Sequence, residues 1–380
     1  MKNEEYRMNG ILTPCYVVNE AKIEENCQIL RHVMDETSCK ILLAQKAFSL
    51  YSLYPLIGKY LSGAASSGLF EARLARECFP GESHVFSTAF RTDDFPKILD
   101  YSDKIIFNST AQLRKWGQRA KDAGKSVGLR LNPMYSTQNG TAIYDPCAPG
   151  SRLGVTCAQF DPGCVPLLDG FHFHTLCEQD AAPIVETVAA LEEQFSAWLP
   201  QMQWLNFGGG HHITRPGYDI AALIDCVRRI QSRYDLTVYL EPGEAVALNA
   251  GGLVTTVLDI VQNEMAIAIL DTSAACHMPD VLEMPYRPPL RDSAPAGELT
   301  HTYRLAGPTC LAGDVIGDYS FAKPLNIGDR LVFEDMAIYT MVKNNTFNGM
   351  PLPAIALESA DGTCRVIRAF GYEDFKQRLG

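Results

Sequence analysis

No stretch of this 380-residue chain approaches the roughly 18–20 apolar residues of a membrane-spanning helix. Cations are scarce: 33 Lys and Arg against 44 Asp and Glu leave a net charge of −11. That balance excludes nucleic acid and anionic membrane as expected partners, because both need clustered positive charge. It leaves room for a small cationic ligand. None of the twelve cysteines forms a Cys-x-x-Cys pair, so zinc-ribbon spacing is missing and no metal is expected. A chain this long needs no disulfide staples, and the cysteines are expected to be reduced and mostly buried. The segment Met1–Arg7 lacks an apolar signal core, and a cytoplasmic location is expected. There is no internal repeat, linker or low-complexity stretch. At 47% hydrophobic and 20% charged residues, a disordered, collagen-like or coiled-coil chain is excluded.

What the sequence does have is a regular beat over its first two-thirds. Short β-type apolar runs occur at Lys40–Ala44, Ser62–Ser66, His84–Thr88, Lys104–Asn108, Ser126–Asn132, Gly170–Thr175, Gln203–Phe207 and Thr237–Glu241. Amphipathic segments such as Leu69–Cys78, Ala111–Ala123, Ala181–Trp198 and Ile220–Tyr234 lie between them and read as helices. Eight strands with helical connectors predict a (β/α)8 barrel over residues 20–249; a doubly wound open sheet is the competing architecture. After about residue 250 the beat changes. Leu253–Val261, Ala266–Asp271, His301–Ala306, Arg330–Phe333 and Ala354–Glu358 are strand-like and separated by Gly-, Pro- and Asp-rich turns. They predict a mostly antiparallel β domain over 250–380, joined by residues 1–19 through the β-type run Thr13–Val18. The Pro-rich segment Met284–Pro295 reads as a surface or interface loop.

The chemically able residues fall at strand ends. Lys46 follows the first barrel strand, Arg130 and Asn132 end the fifth, and His172 and His174 end the sixth. Gly208-Gly209-Gly210 follows the seventh, and Glu241-Pro242-Gly243 ends the eighth. A barrel gathers all of these at its C-terminal rim, where barrel enzymes carry their sites. A lysine at a strand end is ordinarily a solvated charge. Lys46 differs because it lies in an apolar, small-residue run, where an unpaired ammonium is costly, and a buried lysine is the type that forms Schiff bases. His172 and His174 alternate, so one is expected to face the rim and the other to pack. Metal ligation by these with His211 and His212 is possible by residue type, but no carboxylate or thiolate completes a convincing set. The glycine run is either a plain turn or a phosphate cradle, since side-chain-free residues let backbone N–H groups approach an oxyanion. A lysine, a phosphate cradle, a flat imidazole and a carboxylate on one rim are what pyridoxal phosphate requires.

With those residues placed, the chain resembles the pyridoxal-phosphate-dependent alanine-racemase and ornithine-decarboxylase superfamily, and within it the carboxynorspermidine (carboxyspermidine) decarboxylases. The resemblance runs from Thr13-Pro14-Cys15-Tyr16-Val17 to Ala369-Phe370-Gly371. It is carried by Leu43-Ala44-Gln45-Lys46-Ala47-Phe48, His174-Thr175-Leu176-Cys177-Glu178, Asn206-Phe207-Gly208-Gly209-Gly210-His211-His212 and Glu241-Pro242-Gly243-Glu244. Two further segments, Cys276-His277-Met278-Pro279-Asp280-Val281-Leu282-Glu283 and Gly307-Pro308-Thr309-Cys310, complete it. The resemblance implies a barrel that binds pyridoxal 5'-phosphate, a β domain contributing to the active site at a dimer interface, and a homodimer with shared sites. It implies that Lys46 holds the cofactor, that His174 stacks on the ring and that Glu241 pairs with the pyridinium nitrogen. Gly208, Gly209, Gly210, Gly243 and Tyr339 are implied at the phosphate, and Arg130 at or behind the ring. Cys310 is implied as the acid that returns a proton after CO2 departs, with Asp314 beside it.

One departure is informative. Ornithine and diaminopimelate decarboxylases carry Arg where this chain has Glu244. A carboxylate facing a phosphate dianion is repulsive by several kcal/mol in a partly dry site, so Glu244 is expected to turn toward substrate. A triamine carboxylate carries extra ammonium groups that need anionic partners. Glu244, Asp280 and Asp314 are the candidates, with Asp271 in reserve. Leu311 stands where ornithine decarboxylase places Asp, which disfavours ornithine. The expected activity is decarboxylation of carboxynorspermidine, carboxyspermidine or both, a carboxy-lyase step of polyamine synthesis. The alternatives are a decarboxylase of diaminopimelate or a basic amino acid, and a non-catalytic pyridoxal-phosphate-binding regulator.

Overall fold

The computed structural model describes residues 11–138 and 142–380; residues 1–10, assigned above to the β domain, lie outside the described residues. The chain divides into two compact units, one of Glu24–Val246 and one of Ala247–Gly380 with the residues up to Ile23. In chain order, strand β1 (Cys15–Asn19) belongs to the latter.

The Glu24–Val246 unit is a closed barrel. Its strands are β2 (Lys40–Ala44), β3 (Gly63–Ser66), β4 (Glu82–Ser87), β5 (Lys104–Phe107), β6 (Ser126–Asn132), β7 (Gly170–His172), β8 (Trp204–Asn206) and β9 (Thr237–Leu240). Each is parallel to the next, and β9 pairs β2 to complete the ring. Buried on both faces, these strands read as near-continuous apolar runs rather than alternating ones. The helices Leu69–Cys78 and Ile220–Tyr234 have the bounds that their periodicity predicts. Ser109 and Asp219 cap their helices by accepting from the N–H groups of Gln112 and Ala222, which fixes where each helix starts.

Leu42, Ile106, Trp204 and Tyr239 fill the barrel interior. The Trp204 indole lies so close to β6 and β7 that a Cβ at Gly128 or Gly170 would come within 2.3 or 2.1 Å of it. Those two glycines are therefore a packing requirement. At the end opposite the strand C-termini, Glu82 receives Lys40, Lys104 at 3.5 Å, His84 at 2.9 Å and the Tyr239 hydroxyl at 3.1 Å. Its carboxyl is held far below the usual range: burial opposes this, but the contacts from His84 and Lys40 outweigh it. A charge network at this end of a barrel serves stability.

The second unit is a mostly antiparallel sheet centred on the long strand β10 (Gly251–Asn263), which pairs antiparallel with β1, β11 (Met265–Leu270) and β14 (Arg330–Phe333). β11 runs parallel to β12 (His301–Ala306), and β12 antiparallel to β13 (Val315–Phe321). On the other side β1 runs parallel to β15 (Ala354–Glu358), which forms a hairpin with β16 (Cys364–Arg368). β13 and β16 escape the sequence reading for physical reasons. Gly317, Asp318 and Ser320 interrupt one with turn-type residues, and the other is a largely exposed edge carrying Arg365 and Arg368. The Met284–Pro295 loop ends in a two-residue strand, Ala294–Pro295, on β13. Among the described residues, no helix is long and apolar enough to cross a membrane.

Candidate active site

The barrel brings Lys46 and His174 together. Lys46 Nζ lies 3.4 Å from His174 Nε2, and His174 Nδ1 accepts from the Gly209 N–H at 2.7 Å. That second bond fixes a neutral ring with its proton on Nε2, facing the lysine. The loop under Lys46 is pinned by Gln45, which donates to Ser66 Oγ at 2.8 Å and accepts from the Tyr54 hydroxyl at 2.8 Å. Lys46 reaches solvent through the open mouth, yet protein surrounds its sides. Burial and the neighbouring Arg130 charge push its pKa down, toward the free amine that a Schiff-base nucleophile needs. Burial, with Lys46 and Arg130, pushes His174 well below its ordinary value, so the ring is neutral. Arg130 donates to the His174 carbonyl at 2.9 Å, and its guanidinium lies 4.7 Å over the Phe86 ring. It thus supports His174 from behind.

Glu241 follows β9 and is held from two directions. Asn206 Nδ2 donates to Oε1 at 2.7 Å, and His172 Nε2 lies 3.2 Å from Oε2. Asn206 is itself fixed by the Gly208 N–H at 2.8 Å. Burial alone raises the carboxyl's pKa, but His172, His84 and Asn206 outweigh it and bring it to about 2. The side chain is a buried, ionised acceptor. His172 is the correction to the alternation argument. Residues two apart share one face of a strand, so the expectation that the two histidines part was misplaced: His172 meets Glu241, His174 meets Lys46, and both serve the site. His172 stacks on Phe86 at 5.5 Å and 13° while it orients Glu241. Sequence reasoning missed Asn206, although an Asn at a barrel-strand end was a usable signal.

The glycine turn bends through φ +69° at Gly208 and +83° at Gly210. A Cβ at Gly209 would fall 2.3 Å from the Glu241 carbonyl, and one at Gly243 would fall 2.6 Å from Ala47 Cβ. The expectation that all three turn amides face a phosphate needs correcting. Those of Gly208 and Gly209 donate to Asn206 Oδ1 and His174 Nδ1. Glu244 does not turn to open space. Its Oε2 lies 3.1 Å from His212 Nε2, and Glu178 completes a set whose ligand atoms lie within 4.8 Å of one another. The expectation that no carboxylate joins these histidines is corrected: the fold sets Glu178 and Glu244 beside His212. Burial pushes the His212 pKa down, but Glu244 and then Glu178 outweigh it, and the net shift is upward. Burial and these carboxylates push the Cys177 thiol up to about 11, keeping it protonated.

In the sheet unit, Cys310 is exposed, and its N–H donates to Asn348 Oδ1 at 2.6 Å. Asp314 is buried and does not await a ligand. Its carboxylate accepts from Ser273 Oγ at 2.9 and 3.0 Å, Thr309 Oγ1 at 2.7 Å and the N–H groups of Ala275 and Thr309 at 3.2 and 3.3 Å. The expected substrate contact is corrected: Asp314 ties the Cys310 loop down. A Cβ at Gly307 would strike that carboxylate at 2.3 Å. Asp271 is likewise committed, to Thr13, Thr255 and the Thr256 N–H. Asp280 pairs with Lys343, which also meets Glu283 at 3.1 Å, leaving the trio net anionic. Tyr339 holds φ +42°, ψ −54°, a strained turn conformation of the kind that collects at functional sites.

The barrel residues fit pyridoxal phosphate. They offer a lysine pushed toward the free amine, a neutral flat ring between it and the glycine turn, and a buried ionised carboxylate for a pyridinium N–H. Comparison with known proteins agrees. Residues 15–337 match the family described as pyridoxal-dependent decarboxylase, C-terminal sheet domain. The chain is 42% identical to a carboxynorspermidine/carboxyspermidine decarboxylase of Campylobacter jejuni, over 97% of this chain and 98% of the relative. It is 41% identical to a carboxyaminopropylagmatine decarboxylase of Synechocystis, over 99% and 98%. The crystal structure of carboxynorspermidine decarboxylase complexed with norspermidine from Campylobacter jejuni aligns with a TM-score of 0.91 at 41% identity, covering 97% of this chain and all of that one. A diaminopimelate decarboxylase from Helicobacter pylori, 18% identical with a TM-score of 0.83 over 98% of both chains, shares the fold. The chain belongs to the family of pyridoxal-dependent decarboxylases that carry a C-terminal sheet domain.

Proposed function

We propose that this enzyme decarboxylates carboxynorspermidine, carboxyspermidine or both, releasing CO2 and the triamine. The observation that carries the substrate is near-full-length likeness, at 37–42% identity, to relatives named for carboxylated polyamines. When bound, pyridoxal phosphate supplies an electron sink for the pair left at Cα as CO2 departs. Lys46 offers the amine that holds it. His174 provides a neutral stacking face that competes for no proton. Glu241 stays ionised to accept the ring N–H, and Asn206 and His172 keep it aimed. Cys310 returns the proton. The triamine's extra ammonium groups fall to Glu244, whose Oε2 also meets His212 at 3.1 Å, and to Asp280, whose trio with Glu283 and Lys343 retains one negative charge. We place the enzyme in the cytoplasm as a homodimer.

A second reading rests on the Synechocystis relative, which is named for carboxyaminopropylagmatine. One experiment separates the readings: CO2 release and product amine measured with carboxynorspermidine, carboxyspermidine, carboxyaminopropylagmatine, diaminopimelate and ornithine side by side. Turnover of the first two ahead of the rest supports the proposal. Preference for the third selects the guanidino substrate. Turnover of diaminopimelate alone overturns the polyamine reading.

A further inference from the structure

The rim loops after β6, β7 and β8 are tied to one another through Gln179. All four of its polar groups are engaged. Its backbone N–H donates to the Gly210 carbonyl at 3.0 Å, and its carbonyl accepts from the His212 N–H at 3.1 Å. These two bonds flank His211 and form a parallel bridge that carries pairing past the ends of β7 and β8. Its side chain clasps the loop after β6. Thr137 Oγ1 donates to Gln179 Oε1 at 2.7 Å, and Gln179 Nε2 donates to the Thr137 carbonyl at 2.7 Å. Two residues earlier, the Cys177 carbonyl accepts from Gln138 Nε2 at 3.4 Å. Glu178, between these two anchored residues, holds φ +54°, a left-handed conformation that a residue other than glycine keeps only where its surroundings enforce it. The same segment is set hard against the glycine turn. A Cβ at Gly210, itself at φ +83°, would fall 2.0 Å from the Leu176 carbonyl. The shape of the turn therefore depends on where residues 176–179 stand, and the clasp on Thr137 fixes that place.

We propose that Gln179 is a positioning residue for the cofactor's phosphate: by clasping Thr137 it holds the Glu178 kink and presets the Gly208–Gly210 turn in the shape that receives an oxyanion. The turn is then ordered before the ligand arrives, and binding carries no cost of ordering it. Lys46 and Glu241 are held by other contacts, the loop of Lys46 by Gln45 and the Glu241 carboxylate by Asn206 and His172. Loss of the clasp therefore weighs on the phosphate more than on the ring. The inference rests on the pyridoxal-phosphate reading and adds a residue that the glycine-turn argument does not contain.

The test is the affinity of cofactor-stripped protein for pyridoxal phosphate and for pyridoxal, which lacks the phosphate, followed by the visible absorbance of the lysine-bound form. In Gln179→Ala, pyridoxal phosphate affinity should fall roughly five- to fiftyfold, within the range of two neutral hydrogen bonds, with pyridoxal affinity unchanged. Thr137→Val removes the hydroxyl donor alone and should lower pyridoxal phosphate affinity roughly two- to tenfold. Because Thr137 acts through Gln179, the double variant should bind no more weakly than Gln179→Ala. Equal loss for both ligands, no loss for either, or a Thr137→Val loss that adds in full to that of Gln179→Ala overturns the proposal. If the alanine variant does not fold, Gln179→Met, which keeps the length of the side chain without its amide, makes the same comparison. Wild-type protein that binds neither ligand at Lys46 overturns the cofactor reading, and this inference with it.

Discussion

Replacing Asp314 with alanine removes the acceptor of five hydrogen bonds, from Ser273 Oγ to both carboxylate oxygens, Thr309 Oγ1 and the N–H groups of Ala275 and Thr309. Each buried donor left unsatisfied costs about 1–3 kcal/mol, and breaking a buried charged network totals about 3–5 kcal/mol. At roughly 2–4 °C per kcal/mol for a unit of this size, the sheet unit's melting temperature should drop by about 6–20 °C. The Cys310 loop, tied to Asp314 through Thr309, should lose its fixed place, so kcat should fall as well. Asp314→Asn keeps one acceptor oxygen but presents an NH2 group to donors, and should be nearly as damaging. Differential scanning fluorimetry with steady-state kinetics on the triamine carboxylate reads both effects. If Asp314 instead bound substrate ammonium, Asp314→Asn would raise KM and leave the melting temperature within a degree or two. That result would refute the anchoring argument.

Lys46→Ala should lower turnover by at least about 10³-fold while the fold persists, because no other lysine lies on these rim loops; circular dichroism and CO2 release check it together. Gly170→Ala forces a methyl to within 2.1 Å of the Trp204 indole and should cost at least about 1–3 kcal/mol, measured as a lower urea midpoint. The same change combined with Trp204→Phe should recover part of that loss. For Glu241, a folded pKa of about 2 against an ordinary 4.5 means that its stabilisation is fully present above pH 4.5. It is lost as pH falls toward 2 and amounts to about 3 kcal/mol at most. Glu241→Gln should therefore flatten the acid limb of a melting-temperature profile; an unchanged limb would show that Glu241 is not depressed.

Much of this protein was legible before its structure. The barrel strands were readable because parallel strands buried on both faces leave short apolar runs at regular intervals, and because the able residues Lys46, His174 and Glu241 each end one. Local patterns carry that information. They could not carry what depends on which loop tips meet. The expectation that one of His172 and His174 packs away failed because a period of two sets residues two apart on the same face, and closure of the barrel brings Glu241 to one and Lys46 to the other. Asp314 looked like a free acid near Cys310 until the fold placed Ser273 and Ala275, some forty residues earlier, against it. The neighbours of Glu244 were equally beyond the reach of local pattern. Closing the barrel puts it beside His212 and Glu178, residues 32 and 66 positions away, because a ring of parallel strands sets its C-terminal loops side by side whatever their separation in sequence. The sequence by itself determined the barrel strands, the position of Lys46 at a strand end and the family's chemistry, since short-range periodicity and residue type suffice for those. The tertiary structure alone decided which charges face one another, because pairing among loop residues arises from closure of the barrel and has no local signature.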